Sequence, residues 1–186
     1  GSGTTNRRQQ PSIAGGTGRT HFCGGLRLSE EGQGVVLAGW VARRRDLGGL
    51  IFIDLRDRSG LVQLVFDPAE NPTAHAVAEK LRTEFMSAVS GTVRRRDAVA
   101  RNASMPTGDI EIRPDAVELL NESKTPPFYL TDDPGADEAL RLRYRYLDLR
   151  RLTLARSFAL RHQVAKITRD YYDRLGFLEV ETPILT

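Results

Sequence analysis

The chain has 186 residues, 40% hydrophobic and 27% charged, a balance that suits a folded globular protein and excludes a disordered tail. No apolar run approaches the roughly 20 residues of a membrane span, and no signal-peptide core sits at the start. The lone Cys23 excludes an internal disulfide, and with His21, His75 and His162 scattered along the chain it forms no metal-ligand spacing. That cysteine usage points to a reducing compartment and a cytoplasmic protein.

The formal net charge is +3 and the pI is near 9.3, a hint of nucleic acid. Arg7, Arg8 and Arg19 supply that whole excess, because residues 1–20 contain no acid. Residues 21–186 are therefore neutral overall, and any nucleic-acid surface must be a local patch. Residues 1–20 are polar, rich in Gly, Ser and Thr, and lack periodicity, so they read as a disordered leader whose opening GSG is a cloning remnant. A basic, acid-free leader is also compatible with the remains of an organelle-targeting segment, which would make the location organellar.

Strand patterns begin at 35–41 (VVLAGWV) and continue at 50–56 (LIFIDLR) and 61–66 (LVQLVF), with turn-like RRRDLGG and DRSG between them. Residues 74–85 change period: Ala74, Val77, Ala78, Leu81 and Phe85 lie at helical spacing, which predicts about three turns of amphipathic helix. Strands resume at 86–94 and, after a polar loop containing Pro106 and Gly108, at 109–113 and 117–120. Three strands, a helix and further strands within about 100 residues is the order of a five-stranded Greek-key barrel of the OB type, with the helix plugging one end. A β-sandwich is the competing architecture, but it seldom carries one central helix.

Residues 121–135 hold three prolines and a glycine and read as a linker, leaving 21–120 as the barrel domain and 136–186 as the start of a second one. There Leu154, Phe158, Ala165, Thr168, Tyr172 and Leu175 mark one face of a helix over 152–175, and Gly176 is placed to end it. A strand is expected at 177–181, stopping before Pro183. A helix and a strand are too little for a complete core, so only the first part of that domain is expected here.

Alternation singles out a polar face on the barrel. Phe52 shares a side of its strand with Asp54 and Arg56, opposite Ile51, Ile53 and Leu55. Glu111 shares one with Asp109 and Arg113, and Gln63 interrupts an apolar run. Arg43, Arg44 and Arg45 are placed in the loop between the first two strands. An OB barrel binds single strands across its second and third strands, using stacking aromatics and basic residues along the backbone. Taken one at a time, Phe52 is as compatible with packing, and the arginine triplets, Arg94–Arg96 included, with solvated surface; jointly they favour binding.

The stretches RTHFCGGLRLSEEGQ, GWVARRRDLGGLIFIDLRDRSGLVQLVFDP, GTVRRRD, MPTGDIEI, LRYRYLDLRR and GFLEVETPILT together span about 19–186. They resemble the front part of bacterial-type aspartyl-tRNA synthetases, class II enzymes related to the lysyl and asparaginyl ones. The LRYRYLDLR run also resembles the lysyl enzymes, whereas GGLIFIDLRDRSGLVQ is specific to the aspartyl ones. The resemblance implies an OB domain that binds the anticodon of tRNA(Asp), then a hinge and the start of a class II domain of mixed α/β structure. It implies that Phe52 stacks on the middle anticodon base, Gln63 reads that base's edge, and Arg45 and Arg43 contact anticodon bases and phosphates. Glu111 matches the carboxylate selecting the first, guanine-type base. Leu47 stands where enzymes that also charge tRNA(Asn) tend to have His, which points to the discriminating type. Pro183 matches the proline of motif 1, which builds a homodimer interface. ATP and Mg2+ serve the family's aspartate activation, but the motifs for that chemistry are not in this sequence, so no catalytic or metal residue is expected in it. A stand-alone OB protein that binds single strands is the different-class alternative, disfavoured by the motif-1-like helix and strand.

Overall fold

The computed structural model describes residues 18–133 and 135–184. The chain divides between Pro126 and Pro127 into two compact units. Most of the leader lies outside the described residues. Thr20, expected within it, instead docks on the first strand, with its N–H donating to the Val36 carbonyl at 2.9 Å.

The first unit is a closed barrel of β1 (Gly34–Leu47), β2 (Leu50–Asp57), β3 (Gly60–Phe66), β4 (Met86–Arg95) and β5 (Ile110–Asn121). Its order is β1-β2-β3-β5-β4, with β3 and β5 parallel and every other pair antiparallel. This is the OB arrangement expected from the sequence. Alternation fills the interior: Val35, Leu37 and Val41 from β1, Ile51, Ile53 and Leu55 from β2, and Ile110 and Ile112 from β5 are at most 2% exposed.

Four expectations about the elements need correction. The arginine triplet is not in a loop, because β1 runs on to Leu47 and pairs with β2 through Arg43↔Asp54, Arg44↔Ile53 and Arg45↔Phe52. The connection is only Gly48-Gly49, with φ of 66° and 92°, the two left-handed positions that a tight two-residue hairpin requires. The helix α1 (Pro72–Ala78) has seven residues rather than three turns. It stops because the following chain pairs with β1 instead: Glu84 N–H donates to the Val41 carbonyl and Val41 N–H to that of Phe85. Leu81 and Phe85 thus reach the core from a non-helical segment, and Glu84 takes a left-handed φ of 66°.

The strands expected at 109–113 and 117–120 are one strand. A bulge at Asp115 lets β5 bend past Pro114 and keeps Val117 and Leu119 against the core that holds Ile110 and Ile112.

In the second unit α2 (Glu138–Arg143) and α3 (Arg145–Asp148) precede α4 (Leu152–Arg174). Asp137 caps α2 by accepting from Leu140 N–H at 2.7 Å. Asp148 is 1% exposed and sits between Arg145 and Arg151, at 2.7 and 2.9 Å. Gly176, at φ 81°, ends α4 in a Schellman turn, with its own N–H donating to Asp173 and that of Phe177 to Tyr172. The Phe177 ring meets Tyr172 edge-on. The strand expected at 177–181 is absent: the chain there pairs with no strand among the described residues, and Pro183 is exposed.

Candidate nucleic-acid interface

A bulge in β1 builds the candidate face. Val35, Leu37 and Val41 point into the barrel, and strict alternation would send residues 43 and 45 the same way. The extra residue between Val41 and Arg43 reverses the parity, so Arg43 and Arg45 stand outward beside Asp54 and Phe52. Arg44 takes the inward parity and donates from Nε to the Ala78 carbonyl at the end of α1, at 3.3 Å. It does not join the face.

The outward row continues across the sheet. Asp54 pairs with Gln63 and Phe52 with Val65, while the parallel pairing of Leu64 with Ile112 sets Glu111 and Arg113 on the same side. Arg94 lies opposite Glu111 on β4. All five sequence-selected residues, Arg43, Arg45, Phe52, Gln63 and Glu111, therefore fall on one surface.

Arg45 organises its centre. Its Nη2 lies 3.4 Å from Asp54 Oδ1 and donates to Gln63 Oε1 at 3.3 Å, and its guanidinium carbon is 5.7 Å from the Phe52 ring centroid. With Oε1 engaged, Gln63 keeps its Nε2 donor for another acceptor. Phe52 is half-buried, with its ring backed by Arg45 rather than covered by core. Glu111 Oε1 lies 3.1 Å from Arg113 Nε, an ionic contact without hydrogen-bond alignment. Arg43 is exposed.

Arg96 is the residue that sequence reasoning discounted. It is 4% exposed and anchored by Nε to the Ile110 carbonyl at 2.7 Å. Burial lowers its pKa, against the opposing pull of Glu111 and Asp54. Its Nη2 has no hydrogen-bond partner, nor have Arg45 Nε and Arg113 Nε and Nη1. The two Arg113 nitrogens face the Glu111 and Glu70 carboxylates at 3.1 and 3.7 Å. The signal was the outward alternation of β4 through Thr92 and Arg94, which runs on to Arg96.

The face carries the kinds of group that single-strand binders use: an aromatic ring, an amide and a carboxylate, and five arginines against Asp54, Glu70 and Glu111. Among the described residues no cluster of His, Cys, Asp or Glu could hold a metal ion, and no helix is long and apolar enough to cross a membrane.

Residues 35–120 match the OB-fold nucleic acid binding domain family, and residues 137–186 match the tRNA synthetases class II (D, K and N). The first unit is thus an OB barrel whose sequence matches a nucleic-acid-binding family, and class II synthetase sequence follows it in the chain. Over 169 residues, 91% of its length, the chain is 54% identical to an aspartate–tRNA(Asp/Asn) ligase from Geobacillus sp. (strain WCH70). It is 51% identical over 90% of its length to an aspartate–tRNA ligase from Geobacillus kaustophilus. These relatives are aspartate–tRNA ligases, and the chain, similar to them over nine-tenths of its own length, spans 28% of theirs. Among solved structures, asparaginyl-tRNA synthetase from Pyrococcus horikoshii superposes with a TM-score of 0.74 at 27% identity, over 89% of this chain and 38% of that one. An OBody, AM2EP06, bound to hen egg-white lysozyme shares the fold, with a TM-score of 0.51 at 24% identity over 57% of this chain and 97% of its own.

Proposed function

We propose that this chain supplies the anticodon-recognising part of an aspartate–tRNA ligase. The observation that carries the reading is the single outward surface on which Arg45, Phe52, Gln63 and Glu111 meet. Phe52 stacks on the middle anticodon base, and Gln63, oriented by Arg45, donates from Nε2 to that base's edge. Glu111 accepts from the ring N–H groups of the first, guanine-type base. Arg43, exposed beside Asp54, lies along the phosphates. Residues 21–120 form the recognition domain, 121–135 the linker and 136–186 the start of the catalytic domain. The whole protein activates aspartate with ATP and Mg2+ and transfers it to tRNA(Asp) in the cytoplasm as a homodimer, with Pro183 in the dimer-forming motif. ATP and Mg2+ are assigned to parts of the whole protein other than the residues named here.

The test is a titration with anticodon stem-loops. A G-U-C loop should bind more tightly than one with a changed middle base, since one good base contact is worth about 1–3 kcal/mol. A preference below about threefold overturns the reading. Equal affinity for unrelated loops would identify a sequence-tolerant single-strand binder instead.

A further inference from the structure

The hairpin that carries Arg43, Arg45 and Leu47 ends in two glycines, the most flexible residues available, yet its tip is tied down from outside the sheet. His75 Nε2 lies 2.7 Å from the Gly49 carbonyl, which has no donor of its own, so the ring nitrogen carries the proton and donates. Arg44 adds a second tie, from the same strand to the Ala78 carbonyl one turn further along α1. The helix is itself fixed at its other end. Asn71 accepts from Ala74 N–H at 3.0 Å and donates from Nδ2 to the Asp115 carbonyl at 2.7 Å, on the bulge of β5. Ala74 and Ala78 are buried in the core. A rigid path therefore runs from β5 through α1 to the hairpin tip, and His75 is its last link.

We propose that His75 is a positioning residue for RNA recognition. Its hydrogen bond holds the β1–β2 tip in one place before the RNA arrives, so that Arg43 and Arg45 meet the single strand pre-ordered. This rests on the anticodon-face reading given above. Within the hairpin, Gly49 N–H donates to Asp46 Oδ1 at 3.1 Å, and the His75 bond adds the tie from outside the sheet; without it more of the tip's order would have to be gained at the moment of binding, at the expense of affinity.

The test compares the native chain with His75→Ala and His75→Gln, the latter keeping an N–H donor at similar reach. Without RNA, nitrogen relaxation at residues 48–50 reads the tie itself. Order parameters near the rigid value of about 0.85 are expected in the native chain and in His75→Gln, falling towards about 0.6 in His75→Ala. With the G-U-C stem-loop, His75→Ala should bind roughly three- to tenfold more weakly, the loss of one net hydrogen bond, and His75→Gln should restore most of it. A purely structural role would not move this readout, because a modestly destabilised barrel is still almost wholly folded at 25 °C. A tip that stays ordered in His75→Ala, or one that loosens without weakening the stem-loop, overturns the proposal. If the native chain itself fails to prefer the G-U-C loop, the interface reading falls and this role with it, a failure recognised because it needs no substitution.

Discussion

Replacing Phe52 with alanine separates stacking from charge on the outward face. The ring is half-buried, lies 5.7 Å from the Arg45 guanidinium carbon and stands outside the core cluster. A fully buried Phe→Ala change costs about 3–5 kcal/mol, whereas a half-covered ring backed by one cation should cost about 1–2 kcal/mol of stability. For a barrel of about 100 residues that lowers Tm by roughly 4–16 °C and leaves the protein folded at 25 °C. The stacking lost to RNA is worth about 1–3 kcal/mol, or roughly 5- to 150-fold in affinity. Because no phosphate contact goes with it, the slope of log affinity against log salt should hold. The assay is a stem-loop titration at several salt concentrations, accompanied by a melting curve. A folded variant that binds within about twofold of the native chain would falsify the placement of the face on this side of the sheet.

Arg43 and Arg45 should part company. Arg45→Ala frees the Gln63 amide and should shrink discrimination at the middle base with little change in salt slope, whereas Arg43→Ala should weaken all loops alike and lower the slope by about one unit. Equal slope changes in the two variants would contradict their division of labour. Glu84 and Arg56 form a 2.6 Å pair whose side chains are 6% and 15% exposed, so Glu84→Ala should destabilise the barrel by about 3–5 kcal/mol in denaturant titration, and adding Arg56→Leu should recover part of that. Burial first, then the Asp57 carboxylate and its hydrogen bond, raise the Cys23 thiol pKa well above its ordinary range. The folded state therefore keeps a proton that the unfolded chain gives up above about pH 8.5. Stability from this group is complete below that pH and falls by about 1.4 kcal/mol per unit above it, and Cys23→Ala should abolish that slope. Finally, the chain incubated with ATP, aspartate and tRNA should show neither pyrophosphate exchange nor aminoacylation above a contaminant control.

What was legible beforehand followed from short-range periodicity. Alternation in β2 sorts Ile51, Ile53 and Leu55 from Phe52, Asp54 and Arg56 whatever the sheet does next, because successive residues of a strand must face opposite sides. The strand–helix–strand order led to the OB barrel, and Gly176 marked the end of α4, since few other residues take its left-handed φ so readily. The resemblance then gave roles to Phe52, Gln63 and Glu111 that their spacing alone did not.

Only the tertiary structure decided where alternation breaks. The bulge between Val41 and Arg43 turns Arg43 and Arg45 outward and sends Arg44 to α1, and nothing local in VARRRDLGG distinguishes that outcome from a loop. A bulge is set by what the partner strand offers. Here β2 opposes Arg43 with Asp54 and Arg45 with Phe52, and in that register Arg45 reaches Asp54 Oδ1 at 3.4 Å. The same reasoning covers α1, whose periodicity ran to Phe85 but which ended at Ala78, because Glu84 and Phe85 gained backbone hydrogen bonds with Val41 from a distant strand. It covers Arg96 as well, which sequence left among surface arginines and which the closing of β4 on β5 buried against the Ile110 carbonyl. Facing directions within a strand are fixed by the chain's own geometry, whereas breaks in register and the burial of a long cation depend on partners far away in sequence.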